Sequence, residues 1–122
     1  MKQIQNYKER RWLRVRNTAL RRDRYLDQYL LRFGISKEAE LVHHIFPVED
    51  FPEYQYELWN LISVTKKTHN KFHDRNTDQL SKVGIDLLIS TARKNKIPIP
   101  TEYLARKKPM KQDRFYYDPP HL

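Results

Sequence analysis

Between residues 7 and 22, Trp12, Leu13, Val15, Ala19 and Leu20 recur at spacings of three, four and seven. Arg10, Arg11, Arg14, Arg16, Arg21 and Arg22 fill the positions among them. That pattern predicts a helix with one buried stripe and an arginine-rich face. Residues 24–33 are apolar and aromatic and stop at Gly34, which predicts a short second helix. A turn over 36–39 leads to an apolar strand over 40–46, closed by Pro47. Residues 47–59 form an acidic loop anchored by Phe51, Tyr54, Tyr56 and Trp59. A second strand covers 61–64. Thr65 then caps a polar helix over 66–74. Asn76-Thr77 caps a further helix over about 78–95, in which Leu80, Val83, Leu87, Leu88 and Ala92 keep a period near 3.6. Gly84 weakens that helix locally, and Ile97-Pro98-Ile99-Pro100 ends it. Residues 96–122 read as a basic, aromatic arm that packs or wraps.

The length and absence of repeats predict one domain over 1–122. It comprises a basic helical region (7–34), a mixed core (about 38–75), a C-terminal helix (about 78–95) and the tail (96–122). The fold class is α+β, with flanking N- and C-terminal helices and a basic tail.

Charge sharpens this picture. Lys and Arg outnumber Asp and Glu by 24 to 15, for a net +9. Residues 1–34 carry +7 and residues 35–60 carry −5, while 61–75 and 76–122 carry +3 and +4. A polyanionic partner, with nucleic acid the commonest, fits that balance. There is no cysteine, which excludes disulfides and thiolate metal sites. No apolar run approaches the ~20 residues of a membrane span. Met1-Lys2 is followed by polar residues, not a signal peptide. The expected location is cytoplasmic.

Four of the five histidines lie between residues 43 and 73. His43-His44 falls in the first strand, where neighbours point to opposite sides. His69 and His73 fall in the helix, where i and i+4 share a face. One strand histidine and the helix pair can therefore converge on a metal ion, with the other strand histidine beside it as a base. That is the equipment for phosphodiester hydrolysis. A divalent ion neutralises the phosphate and the leaving oxygen, and an imidazole with a pKa near neutrality deprotonates water. The spacing fits His43, His69 and His73 as ligands with His44 as the base, and it equally allows His43 and His44 to be exchanged. Asn60, at the start of the second strand, can hydrogen-bond across to hold His44 or its connecting loop. Lys66, Lys67 and Lys71 lie on the same helix as candidate phosphate contacts, and Arg10, Arg11, Arg14, Arg21 and Arg22 supply a second basic face.

With His43-His44, Asn60-Leu61, His69 and His73 in this order, the chain resembles the HNH endonuclease family, with its ββα-metal core. The resemblance implies His43, His69 and His73 as ligands, His44 as general base and Asn60 as its orienting residue. It resolves the exchange left open by spacing. The run from Trp12-Leu13-Arg14 through Arg22-Asp23-Arg24-Tyr25-Leu26 to Gly34-Ile35 resembles small phage HNH proteins encoded near packaging genes. Those relatives usually carry a structural zinc on two Cys-x-x-Cys pairs. The matching positions here are Asp27 and Leu30, and Thr65 and Thr68. Loss of all four together implies a site replaced as a unit, with Leu30, Leu31 and Phe33 expected to pack in its place.

The resulting expectation is a metal-dependent DNA endonuclease or nickase using one divalent ion (Zn, Mg, Mn or Ni) and no structural Cys-zinc. Its partners would be DNA and, by resemblance, phage packaging machinery, with no membrane. A non-catalytic, metal-stapled DNA-binding accessory protein is the alternative. It leaves the spare His44 unexplained, because a structural site fills its fourth position. A ribonuclease would share the same phosphate chemistry.

Overall fold

The structure, a computed structural model, describes residues 2–77 and 79–107. Helix α1 (Lys2–Arg22) comes first. Its inner face seats Ala19, Trp12, Val15 and Leu20 against Val42 and Leu61. Leu13, expected in that stripe, is instead exposed, because it lies on the arginine side of the helix. Arg24 and Tyr25 then take left-handed backbone, with φ of 56° and 61°. That turn replaces most of the helix expected over 24–33, and only α2 (Gln28–Leu31) remains helical.

The centre is a hairpin. β1 (Leu41–His44) pairs antiparallel with β2 (Leu61–Val64), His43 opposite Ile62 and His44 opposite Leu61. The ladder is shorter than the strand expected over 40–46. Ile45 still donates to the Asn60 carbonyl, but the Phe46 amide is taken by the Asn60 side chain. Helix α3 (Lys66–Lys71) follows directly, and the Thr65 hydroxyl accepts from the Thr68 amide as its N-cap. Two antiparallel strands and this helix make the ββα core.

Phe72 ends α3 and is fully buried among Ile62, Val64, Leu88 and their neighbours. Its carbonyl accepts from the Ser81 amide, and His73 bridges to Leu80. The chain therefore turns back tightly after Phe72, and the helix starts only beyond Ser81. Ser81 caps α4 (Lys82–Asn95), rather than Asn76-Thr77; residue 78 itself lies outside the described residues. Gly84 has a packing reason. A Cβ there would lie 2.3 Å from the Phe72 carbonyl oxygen, so the α4 backbone can meet the end of α3 only without a side chain. Residues 101–107, expected as part of the arm, form α5 (Thr101–Lys107), which buries Tyr103. The rest of the arm, 108–122, lies outside the described residues.

The segment expected to pack through Leu30, Leu31 and Phe33 is linked to α3 differently. Leu31 and Phe33 are exposed, at 41% and 57%, and only Tyr29 reaches the core, edge-on to Phe72 at 5.6 Å. The link is polar. Fully buried Asp27 accepts from the Leu30 amide at 2.8 Å and the Thr65 amide at 2.7 Å. Thr65 in turn donates to Thr68. A buried carboxylate gathers donors more strongly than exposed apolar side chains can. Burial alone would raise the Asp27 pKa, but the amides of Leu30 and Thr65 and the hydroxyls of Thr68 and Thr65 carry it below the usual value.

A carboxyl depressed in the folded state stabilises the fold above its unfolded pKa, and that stability is lost as pH falls through the folded value. Asp27→Asn should therefore cost about 1–3 kcal/mol at pH 7. It should also flatten the loss of stability that the wild type shows below about pH 4. Denaturant midpoints across that range check this; parallel profiles for the two chains would contradict it.

Candidate active site

The hairpin sends its two histidines to different sides. His43 is 3% exposed and faces α3, with its ring 4.7 Å from Phe72, 5.2 Å from His69 and 5.4 Å from His73. His44 is partly exposed and faces α1, stacked on Trp12 at 4.8 Å and 27°. The strand period accounts for this split.

His69 lies in the last turn of α3, whereas His73 lies two residues beyond its end. The helix expected over 66–74 stops early because Phe72 turns into the core. Even so, the His69 and His73 Nε2 atoms lie 3.2 Å apart. One ligand-capable nitrogen from each of His43, His69 and His73 lies within 4.8 Å of the others. An ion centred in such a triangle is at most about 2.8 Å from each nitrogen, so the rings need to draw in by less than ~1 Å to reach a normal metal–nitrogen distance.

Two further observations fit a cation. His43 Nε2 is buried and has no hydrogen-bond partner, a costly arrangement unless something accepts its lone pair. His43 and His69 also resist protonation. Burial, then the charges His69, His73 and His44 would carry, push His43 down to about 2. Burial, then His73, lowers His69. Neutral imidazoles are the form that ligates.

His44 Nε2 lies 3.0 Å from the Gln55 carbonyl oxygen. A carbonyl only accepts, so Nε2 carries the proton and Nδ1 keeps the lone pair. Burial lowers the His44 pKa, and the Gln55 carbonyl works against that. The Asn60 side chain bonds the loop, not the His44 ring. Its Oδ1 accepts from the Phe46 amide at 2.7 Å, and its Nδ2 donates to the Phe46 and Tyr54 carbonyls at 3.2 Å each. It therefore pins both ends of the loop whose next residue, Gln55, holds His44. Phe51, Tyr54 and Trp59 ring Phe46 and fill the loop's inner side.

The basic residues divide. Arg10, Arg11, Arg14 and Arg21 are exposed on α1, and Lys66, Lys67 and Lys71 are exposed on α3. Arg11 lies 4.0 Å over the Tyr56 ring. The Arg22 guanidinium is engaged internally, donating to the Leu58 and Leu61 carbonyls and to Asp23. A cleft of about 330 Å³ beside His73 is acidic instead, lined in part by Glu49, Asp50 and Glu102. Composition had marked 47–59 as acidic, but nothing in the pattern tied it to His73. Nor did the sequence signal the roles of Trp12 and the Gln55 carbonyl.

No family model and no curated protein matches the chain. Among solved structures, it is similar to the HNH endonuclease of the deep-sea thermophilic bacteriophage GVE2, solved with a manganese ion. The two are 30% identical with a TM-score of 0.51, over 57% of this chain and 76% of that one. A ββα core with a three-histidine cluster, matched over three quarters of a solved relative, identifies this chain as a member of the HNH endonuclease family.

Proposed function

We propose that the chain is a single-domain, metal-dependent DNA endonuclease or nickase. The observation that carries this is the division of the hairpin histidines: His43 joins His69 and His73, while His44 is held apart with one ring nitrogen free to accept a proton. In this reading His43, His69 and His73 are ligands. A divalent ion held by them supplies the positive charge that the phosphate and its leaving oxygen need.

The chain's own groups do the rest. His44 Nδ1 takes a proton from the attacking water. The Gln55 carbonyl fixes which nitrogen is available, and Asn60 keeps that carbonyl in place by closing the loop. Arg10, Arg11, Arg14, Arg21, Lys66, Lys67 and Lys71 contact backbone phosphates, which positions DNA without reading its sequence. Arg22 acts as a strut between α1 and the hairpin. The acidic cleft beside His73 repels phosphate and so favours approach from the α1 and α3 side. Zn²⁺ or Ni²⁺ suits three imidazoles by softness; the manganese in the solved relative supports Mn²⁺ as a working ion. A phage-encoded role beside DNA-packaging machinery is the setting the resemblance implies, and the phage origin of that relative supports its first half.

Supercoiled plasmid incubated with the chain and Mn²⁺ should become nicked or linear, and EDTA should stop the conversion. Plasmid left intact with Mg²⁺, Mn²⁺, Ni²⁺ and Zn²⁺ in turn, despite metal and DNA binding, would contradict the proposal.

A further inference from the structure

A base must be aimed as well as ionisable. The His44 ring is anchored at one point, by Nε2 donating to the Gln55 carbonyl. One hydrogen bond leaves the ring plane free to pivot, because the torsion that sets it is soft in histidine. A second restraint lies across its face, where the Trp12 indole stacks at 4.8 Å and 27°. Trp12 sits on α1, outside the ββα core, and α1 is itself braced to the hairpin. Arg22 bonds the Leu58 and Leu61 carbonyls at 2.7 and 2.6 Å. Asp23 accepts from the Ser63 amide at 3.0 Å. Arg11, next to Trp12, covers Tyr56, next to Gln55. The two restraints on the His44 ring are thus tied to each other.

We propose that Trp12 is a positioning residue for cleavage: its indole holds the His44 imidazole in the plane that points Nδ1 at the water attacking the phosphate. This rests on His44 being the base. A leucine could also bury apolar surface against Val42 and Leu61, but it could not stack on the His44 ring.

The test is steady-state cleavage of a labelled DNA duplex with Mn²⁺ by the full chain and its Trp12→Leu, Trp12→Phe and His44→Ala variants. Trp12→Leu should lower kcat by about 10–100-fold, the scale of a misaimed catalytic group. Its KM and Mn²⁺ affinity should stay at wild-type values, and Trp12→Phe, which can still stack, should recover most of the loss. In NMR spectra, the His44 ring protons should lie upfield in the wild type, under the indole ring current, and lose that shift in Trp12→Leu. An unchanged kcat in Trp12→Leu, a rise in KM alone, or phenylalanine as poor as leucine would each overturn the proposal. If the leucine chain does not fold, the wild-type spectrum decides, and His44 protons at ordinary shifts overturn it. Full cleavage by His44→Ala would instead remove the base itself, and this inference with it. Loss in His44→Ala with none in Trp12→Leu would remove only the inference.

Discussion

His44→Ala is expected to slow DNA cleavage by about 10²–10⁴-fold, the usual contribution of a general base. Binding of Mn²⁺ and of DNA should be nearly unchanged. The side chain projects to the α1 side of the hairpin, away from the cluster of His43, His69 and His73. Its removal takes no ligand and no exposed cation. It leaves the Gln55 carbonyl without one partner in a partly exposed place, where water substitutes readily. Stability should therefore shift little. Plasmid nicking, metal titration and duplex binding on the same preparation check the three parts. Cleavage at the wild-type rate would remove His44 as the base.

His69→Ala should differ in kind, losing metal and cleavage together. Its Nε2 lies 3.2 Å from that of His73, and its ring stands 5.2 Å from that of His43. Removing it leaves only the His43 and His73 nitrogens to hold an ion. Metal affinity should fall by more than the roughly 10–100-fold that loss of a ligand's supporting partner costs. The fold should survive, because the Thr65 cap and the buried Phe72 hold α3 without it. Titration calorimetry with Mn²⁺, beside circular dichroism, checks this. Unchanged affinity in a folded His69→Ala chain would contradict the ligand assignment. In the wild type the stoichiometry should be one ion per chain, since Asp27, Leu30, Thr65 and Thr68 offer no second nest of metal donors. Two tightly held zinc ions would contradict that.

Much of this was legible in the sequence because it depends on short periods. A strand alternates and a helix returns every fourth residue, so His43-His44 and His69/His73 carried their own geometry. The order of motifs carried the fold class. The parts that were not legible depend on packing between distant segments. Nothing local to His73 says that Phe72 will turn inward and stop α3, putting the i+4 partner beyond the helix while keeping it in reach. Gly84 looked like a weak point in a helix, and its reason lies on another element, the Phe72 carbonyl. The link between residues 30–33 and α3 was read as apolar because Leu30, Leu31 and Phe33 are large. A carboxylate at Asp27 with two amides aimed at it proved the stronger link. Asn60 was read as holding His44 or its loop; its bonds go to the loop, at Phe46 and Tyr54. Trp12 was legible as a position on the inward face of α1 but not as the neighbour of the His44 ring.

The most direct measurement is anomalous diffraction at the manganese edge from crystals of the full chain grown with Mn²⁺. The account predicts one strong peak, bounded by nitrogens of His43, His69 and His73, with His44 turned toward α1 and not bonded to it. A peak elsewhere, or the three imidazoles turned apart with no peak between them, would contradict it.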